Sequence, residues 1–272
     1  MNKRERLEKT ISGEAVDRVP VALWRHFPGD DQRAADLARS VMDFQKTYDW
    51  DFIKVTPSNN AVIADYGLQD EWRGAIEGTR EVTRYTIKRS LDWTELRPLD
   101  PTRGELAKYL EALRMIGDGF AEDDAPIIAT IFSPLAQARH LAGDTLLLRH
   151  LRTYPDRLKS ALNILTENTL RLVDALKRTS VSGIFYAIQH ASYDVLSEEE
   201  YRSFGVPYDL KILETLPPKW WLNVLHLHGK APMFKLCGSY PVQVVNWHDR
   251  ETEPDLALGK TLVRGAVCGG LS

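Results

Sequence analysis

Short apolar runs alternate with stretches of helical period along almost the whole chain. The runs VPVALW (19–24), DFIKVTP (51–57), PIIATIF (126–132), GIFYAIQ (183–189), 221–228, 242–248 and LVRGAVCGGL (262–271) each predict a strand. Between them, residues 3–12, 31–47, 103–117, 144–151, 155–178, 207–216, 230–237 and 253–259 read as helices. The longest sets Leu158, Leu162, Leu165, Leu172 and Leu176 on one stripe and has Pro155 in its first turn, where a proline is tolerated. Ser197 followed by Glu200 is a capping box opening a further helix. The unbroken apolar run 19–24 predicts a strand buried on both faces, as in a parallel sheet. One stretch departs from the rhythm: 81–93, EVTRYTIKRSLDW, alternates and is rich in Thr, Tyr and Ile, which predicts part of an antiparallel hairpin inserted after the second strand.

Strand–helix alternation of this kind predicts an α/β fold, a (β/α)8 TIM barrel formed by residues 1–272 as a single domain. Seven strands are predicted instead of eight, so either one element is misread or the last βα unit is lacking. An open barrel leaves two strand edges to be covered by some other element or by a second copy of the chain, a homodimer.

A barrel of this type binds its ligands at the C-terminal ends of its strands. The stretch from Trp220 to Arg250 is the richest there. Side chains two apart on a strand share a face, so His226 and His228 stack at the end of one strand and Asn246 and His248 at the end of the next. HxH alone is a weak pattern, as readily a packed and a solvated histidine as a metal pair. A third imidazole at an equivalent strand end makes His226, His228 and His248 a candidate metal set. Other strand ends supply Arg25, whose planar fork suits a carboxylate, Gln189 and Asn246 for polar contacts, and His190 and Tyr193 near a cofactor. Lys54, inside an apolar strand, needs a partner, and Asp51 is the expected one. Cys268, in an apolar run, reads more readily as a packing residue than as a ligand. His140 and His150 lie apart, in helices.

Composition narrows the classes of function. The chain is 43 % hydrophobic and 27 % charged, with a formal net charge of −3, which gives no nucleic-acid or membrane surface. Two cysteines are too few for a disulfide framework and fit a reducing compartment. The charged amphipathic start is unlike a signal peptide, and no apolar run approaches the roughly 20 residues of a membrane span. The expectation is a cytoplasmic protein acting on a small molecule.

The segments DRVPVALWRHFPGD, YDWDFIKVTPS, IFSPLAQARHLAG, GIFYAIQHASYDVLSEEEYRSFGVPYD, LHLHG, YPVQVVNWHDR and the terminal GGL resemble the uroporphyrinogen decarboxylase superfamily. That resemblance implies a (β/α)8 barrel enzyme, either a decarboxylase of uroporphyrinogen or a corrinoid:thiol methyltransferase that uses zinc to activate the thiol. The decarboxylase pattern is poorly kept. Arg25 matches the first of two substrate arginines, but the second falls on Gly29. The pyrrole-binding aspartate falls on or beside Phe52, and a loop tyrosine falls on Arg139. The methyltransferase pattern His-x-Cys-Gly fits better, here as His226-Leu227-His228-Gly229, with imidazole in place of thiolate. The distal cysteine of that branch has no counterpart, and His248 or Asp249 stands nearest to replacing it. The resemblance thus implies zinc on the histidines, a corrinoid as substrate or partner cofactor, and a corrinoid protein as partner. Decarboxylation of a carboxylate-rich tetrapyrrole and a non-catalytic ligand-binding barrel are the rival expectations.

Overall fold

The computed structural model describes residues 1–120 and 125–271. Six parallel strands form one sheet in the order β1 (Ile53–Val55), β4 (Ile127–Phe132), β5 (Val181–Ile188), β6 (Val224–Leu227), β7 (Val244–Trp247) and β8 (Ala266–Cys268). Helices α3 (Gly104–Asp118), α4 (Pro134–Ala142), α5 (Asp144–Thr153), α6 (Pro155–Leu176), α7 (Glu198–Phe204), α8 (Val206–Leu213), α9 (Phe234–Cys237) and α10 (Leu256–Leu262) lie between successive strands. Helices α1 (Lys3–Ser12) and α2 (Ala34–Tyr48) precede β1. The sheet curls as a barrel does but does not close among the described residues, since β1 and β8 are not paired with each other.

Six of the seven expected strands are present. The exception is 19–24. It is extended, and its side chains alternate, with Ala22 and Trp24 turned inward while Val19, Val21 and Leu23 are exposed. Burial on both faces was therefore the wrong reading, and the segment forms no ladder. It is pinned at Asp51, whose carboxylate accepts from Arg6 Nη1 at 2.7 Å, Arg18 Nη1 at 2.6 Å and the Val21 amide at 2.7 Å. Burial would raise the Asp51 pKa, but the Arg18, Val21 and Arg6 bonds outweigh it and hold the group below the usual carboxylate range. With both oxygens so engaged, Asp51 is not the partner of Lys54 that the sequence suggested. The expected hairpin is present, with only the first part of 81–93 in it: β3 (Glu81–Arg84) pairs antiparallel with the earlier β2 (Gln69–Glu71), and Ser90–Glu95 is a 3-10 turn.

Alternation along the strands divides the core in two. Outward side chains, among them Leu225, Leu227, Val245 and Trp247, pack under the helices. Inward ones, Phe52, Ile128, Phe185, Ala187, Val224 and Val244, form a second cluster with Leu7 and Ile11 of α1 packed against it. With its lower interior filled by apolar side chains, the barrel carries its polar groups at the opposite, C-terminal end of the strands.

Candidate active site

The strand ends open into a cavity of about 960 Å³ lined, among others, by Trp24, Arg25, Lys54, Phe132, Arg139, His140, Phe185, Gln189, His226 and His228. The register places His226 beside Asn246, so the inward faces of β6 and β7 continue upward as His228 and His248. The three imidazoles come together as the alternation requires. Nε2 of His248 lies 3.4 Å from Nδ1 of His228, the ring centroids are 5.1–5.7 Å apart, and one ring nitrogen from each falls within 4.8 Å of the other two.

Asn246 decides which nitrogen of His226 faces the group. Its Nδ2 donates to the Cys268 carbonyl at 2.9 Å, so its Oδ1 points the other way and accepts Nδ1–H of His226 at 2.6 Å. Nε2 of His226 is left with its lone pair. Burial, helped by the neighbouring His228 and His248, pushes this imidazole down to about 3, so it is neutral across the physiological range. His228 is lowered as well, by burial first and then by His248.

A parallel arrangement stands across the cavity. Asp70 is bonded to Arg80 at 2.6 Å and accepts from Nδ2 of Asn60 at 2.6 Å, so Oδ1 of Asn60 faces Nδ1 of His140 at 2.5 Å. Burial pushes His140 down to about 4. The other ring nitrogen, Nε2 of His140, lies 3.3 Å from Oε1 of Gln189. His140 and its supports Asn60, Asp70 and Arg80 were not foreseen. Nothing in the period of a helix marks one histidine as facing a cavity, and the supports lie on the irregular stretch and the hairpin.

The other foreseen residues scatter. Arg25 lines the cavity but turns outward from the extended segment, with its guanidinium over the Phe27 ring. His190 is 3 % exposed, below the cavity surface, and burial pushes it down to about 3. Tyr193 is 55 % exposed, outside the cavity lining, and donates to Glu198 at 2.7 Å. Asp249 accepts the Gly270 amide at 2.8 Å and so shapes the turn after β8. Burial holds the Cys268 thiol up at about 11, which fits the packing role.

The triad suits a borderline metal. Zinc binds imidazole nitrogen at about 2.0–2.1 Å, so two ligands on one tetrahedral ion lie about 3.4 Å apart. The His228–His248 separation already has that value. Three imidazole nitrogens leave a coordination position open.

The family model described as Uroporphyrinogen decarboxylase (URO-D) matches residues 75–272. The chain is 21 % identical over 247 residues to the methylcobamide:CoM methyltransferase MtbA of Methanosarcina acetivorans, covering 84 % of this chain and 70 % of that one. The MtbA of Methanosarcina mazei is 20 % identical over the same shares. A solved methyltransferase from Methanosarcina mazei superposes with a TM-score of 0.83 at 19 % identity, over 97 % of this chain and 80 % of that one. At that identity the superposition shows a common fold.

Proposed function

Since the chain belongs to the uroporphyrinogen decarboxylase family, we propose that it is an enzyme of the methyltransferase type, moving a methyl group between a corrinoid and a small thiol or related acceptor. The observation that carries this reading is the imidazole triad at the cavity, with His226 set by Asn246 to offer Nε2. The likeness to methylcobamide:CoM methyltransferases supports it. His226, His228 and His248 would hold a zinc ion. Bound there, the metal supplies Lewis acidity that keeps a thiol deprotonated at neutral pH. Asn246 orients a ligand through its far nitrogen, as partners of metal-bound histidines do. Gln189 and His140 offer polar contacts on the opposite wall, and the aromatic faces of Trp24, Phe132 and Phe185 restrict water. A corrinoid protein would present the methyl group at the open end of the cavity.

Decarboxylation of a tetrapyrrole has less support. The acids lining the cavity, Glu77 and Glu81, are both exposed, and Asp51 is turned to Arg6 and Arg18, so no inward carboxylate awaits pyrrole N–H groups among the described residues.

Metal analysis tests the proposal. The purified chain is expected to hold about one zinc per molecule, and His228→Ala to lose most of it, because two imidazoles rarely retain the ion. Equal, sub-stoichiometric zinc in both would overturn it.

A further inference from the structure

Lys54 is a cation of this cavity that the proposed chemistry leaves without a task. It lies on the inward face of β1 between Phe52 and Thr56, beside Ile128 in the register and thus well below the strand ends. Its Nζ donates to the Thr56 hydroxyl at 2.9 Å. It also lies 4.4 Å from the centroid of Phe185 and 5.4 Å from that of Trp24. Two aromatic faces stabilise an ammonium only in part.

No carboxylate pairs with it among the described residues. Of the other cations of the lining, the largely buried Arg80 is neutralised by Asp70 at 2.6 Å, and the more exposed Arg139 is paired with Asp144 at 2.7 Å. A desolvated, unpaired charge is costly, and an incoming anion would relieve that cost. Phe185 gives the direction. One ring of Phe185 has the amine at 4.4 Å and the stacked His226 ring at 5.2 Å, so a short molecule can touch both.

We infer that Lys54, with the Thr56 hydroxyl beside it, is the anchor for a terminal oxyanion, a carboxylate or sulfonate, of a small substrate whose other end lies at the histidine triad. This rests on the triad being the reacting end. The Phe185 and Trp24 rings flank the anion site and strengthen the pairing by excluding water. Lys54 is a specificity-determining residue in this scheme and Phe185 the spacer that sets substrate length.

Competitive labelling tests the site without metal or turnover. Burial pushes the Lys54 amine down to about 7, so it reacts at neutral pH. The metal-free chain is treated with 1-fluoro-2,4-dinitrobenzene, and labelling of Lys54 and of exposed Lys46 is read by peptide mass spectrometry. Propionate or ethanesulfonate is expected to slow labelling of Lys54 saturably and leave Lys46 unchanged, while propionamide has no effect. The stronger of the two anions identifies the headgroup. Labelling of Lys54 that ignores both anions, or responds equally to the amide, overturns the inference.

A binding arm separates this from the zinc proposal. The zinc-loaded chain should prefer 3-mercaptopropionate over its amide by about tenfold, the scale of a charge-assisted hydrogen bond. Lys54→Met should lose that preference with zinc content unchanged, and Lys54→Arg should restore part of it. A Lys54→Met variant that keeps the full preference refutes the anchor. Loss of zinc binding by the unaltered chain refutes the triad alone, and the metal-free labelling result then still decides about Lys54.

Discussion

At the scale of single residues, two side-chain amides fix imidazoles that face the cavity. Asn246 and Asn60 do the same work on opposite walls, each held by one further bond and each turning one ring nitrogen away from the cavity. Asn246→Ala is therefore expected to weaken zinc binding by about 10- to 100-fold with the fold retained, because His226 loses both its tautomer and its orientation. Isothermal titration with zinc, beside a circular dichroism spectrum, checks it, and unchanged affinity would show that packing against Phe185 alone orients the ring. The triad was legible because a period of two and a parallel register are enough to aim His226, His228 and His248 at one point. The partner of Lys54 was not. Asp51 is three residues away in sequence, but its carboxylate is taken by two arginines and the Val21 amide.

At the scale of elements, an apolar run was a sound guide to a strand where both of its faces are covered, and a false one where only one is. β4, β5, β6 and β7 have helices outside and side chains inside, so their runs are unbroken. The segment 19–24 looks the same in sequence, yet one of its faces is exposed. Apolar character reports propensity to be covered, and nothing local states whether a cover exists. Local chemistry is a better guide at helix ends. Ser197 accepts from the Glu200 amide at 3.1 Å and Glu200 accepts from the Ser197 amide at 3.0 Å, the reciprocal pair that the sequence announces. Because Glu200 also pairs with Arg152 on α5 at 2.8 Å, this cap ties two helices together. Ser197→Ala is expected to cost about 1 kcal/mol in a denaturation titration. At Gly183 the requirement is steric: a Cβ would come 2.0 Å from the Leu222 carbonyl, so Gly183→Ala should cost about 1–3 kcal/mol by forcing the chain entering β6 away from β5.

At the scale of the molecule, the barrel was legible as a class and its incomplete closure as a count of strands, while the filling of its lower interior by α1 was not, since Leu7 and Ile11 read only as one face of a short helix. What the whole architecture does to its histidines leads to a measurable consequence. Burial lowers His26 and His140 to about 4 and His190 and His226 to about 3. Unfolded, each would titrate near 6.5. Between those values the unfolded chain binds protons that the folded chain refuses, so stability must rise with pH across that window and fall as the solution is acidified below about 6.5. Asp209 acts in the opposite sense. Buried beneath three tyrosine hydroxyls, it is raised to about 7, so between about 4 and 7 the folded state holds a proton the unfolded one has lost. Among these five groups one carboxyl offsets one imidazole, and their combined difference near pH 5 is about three protons, a slope of a few kcal/mol per pH unit at its steepest. The melting temperature of the metal-free chain should therefore drop sharply from pH 6.5 to pH 4.5. Replacing His190 by Gln, which removes one of the four titrating rings, should make that drop shallower. A melting temperature flat over this range would mean that water reaches these imidazoles, and with it that the cavity wall is looser than its packing indicates.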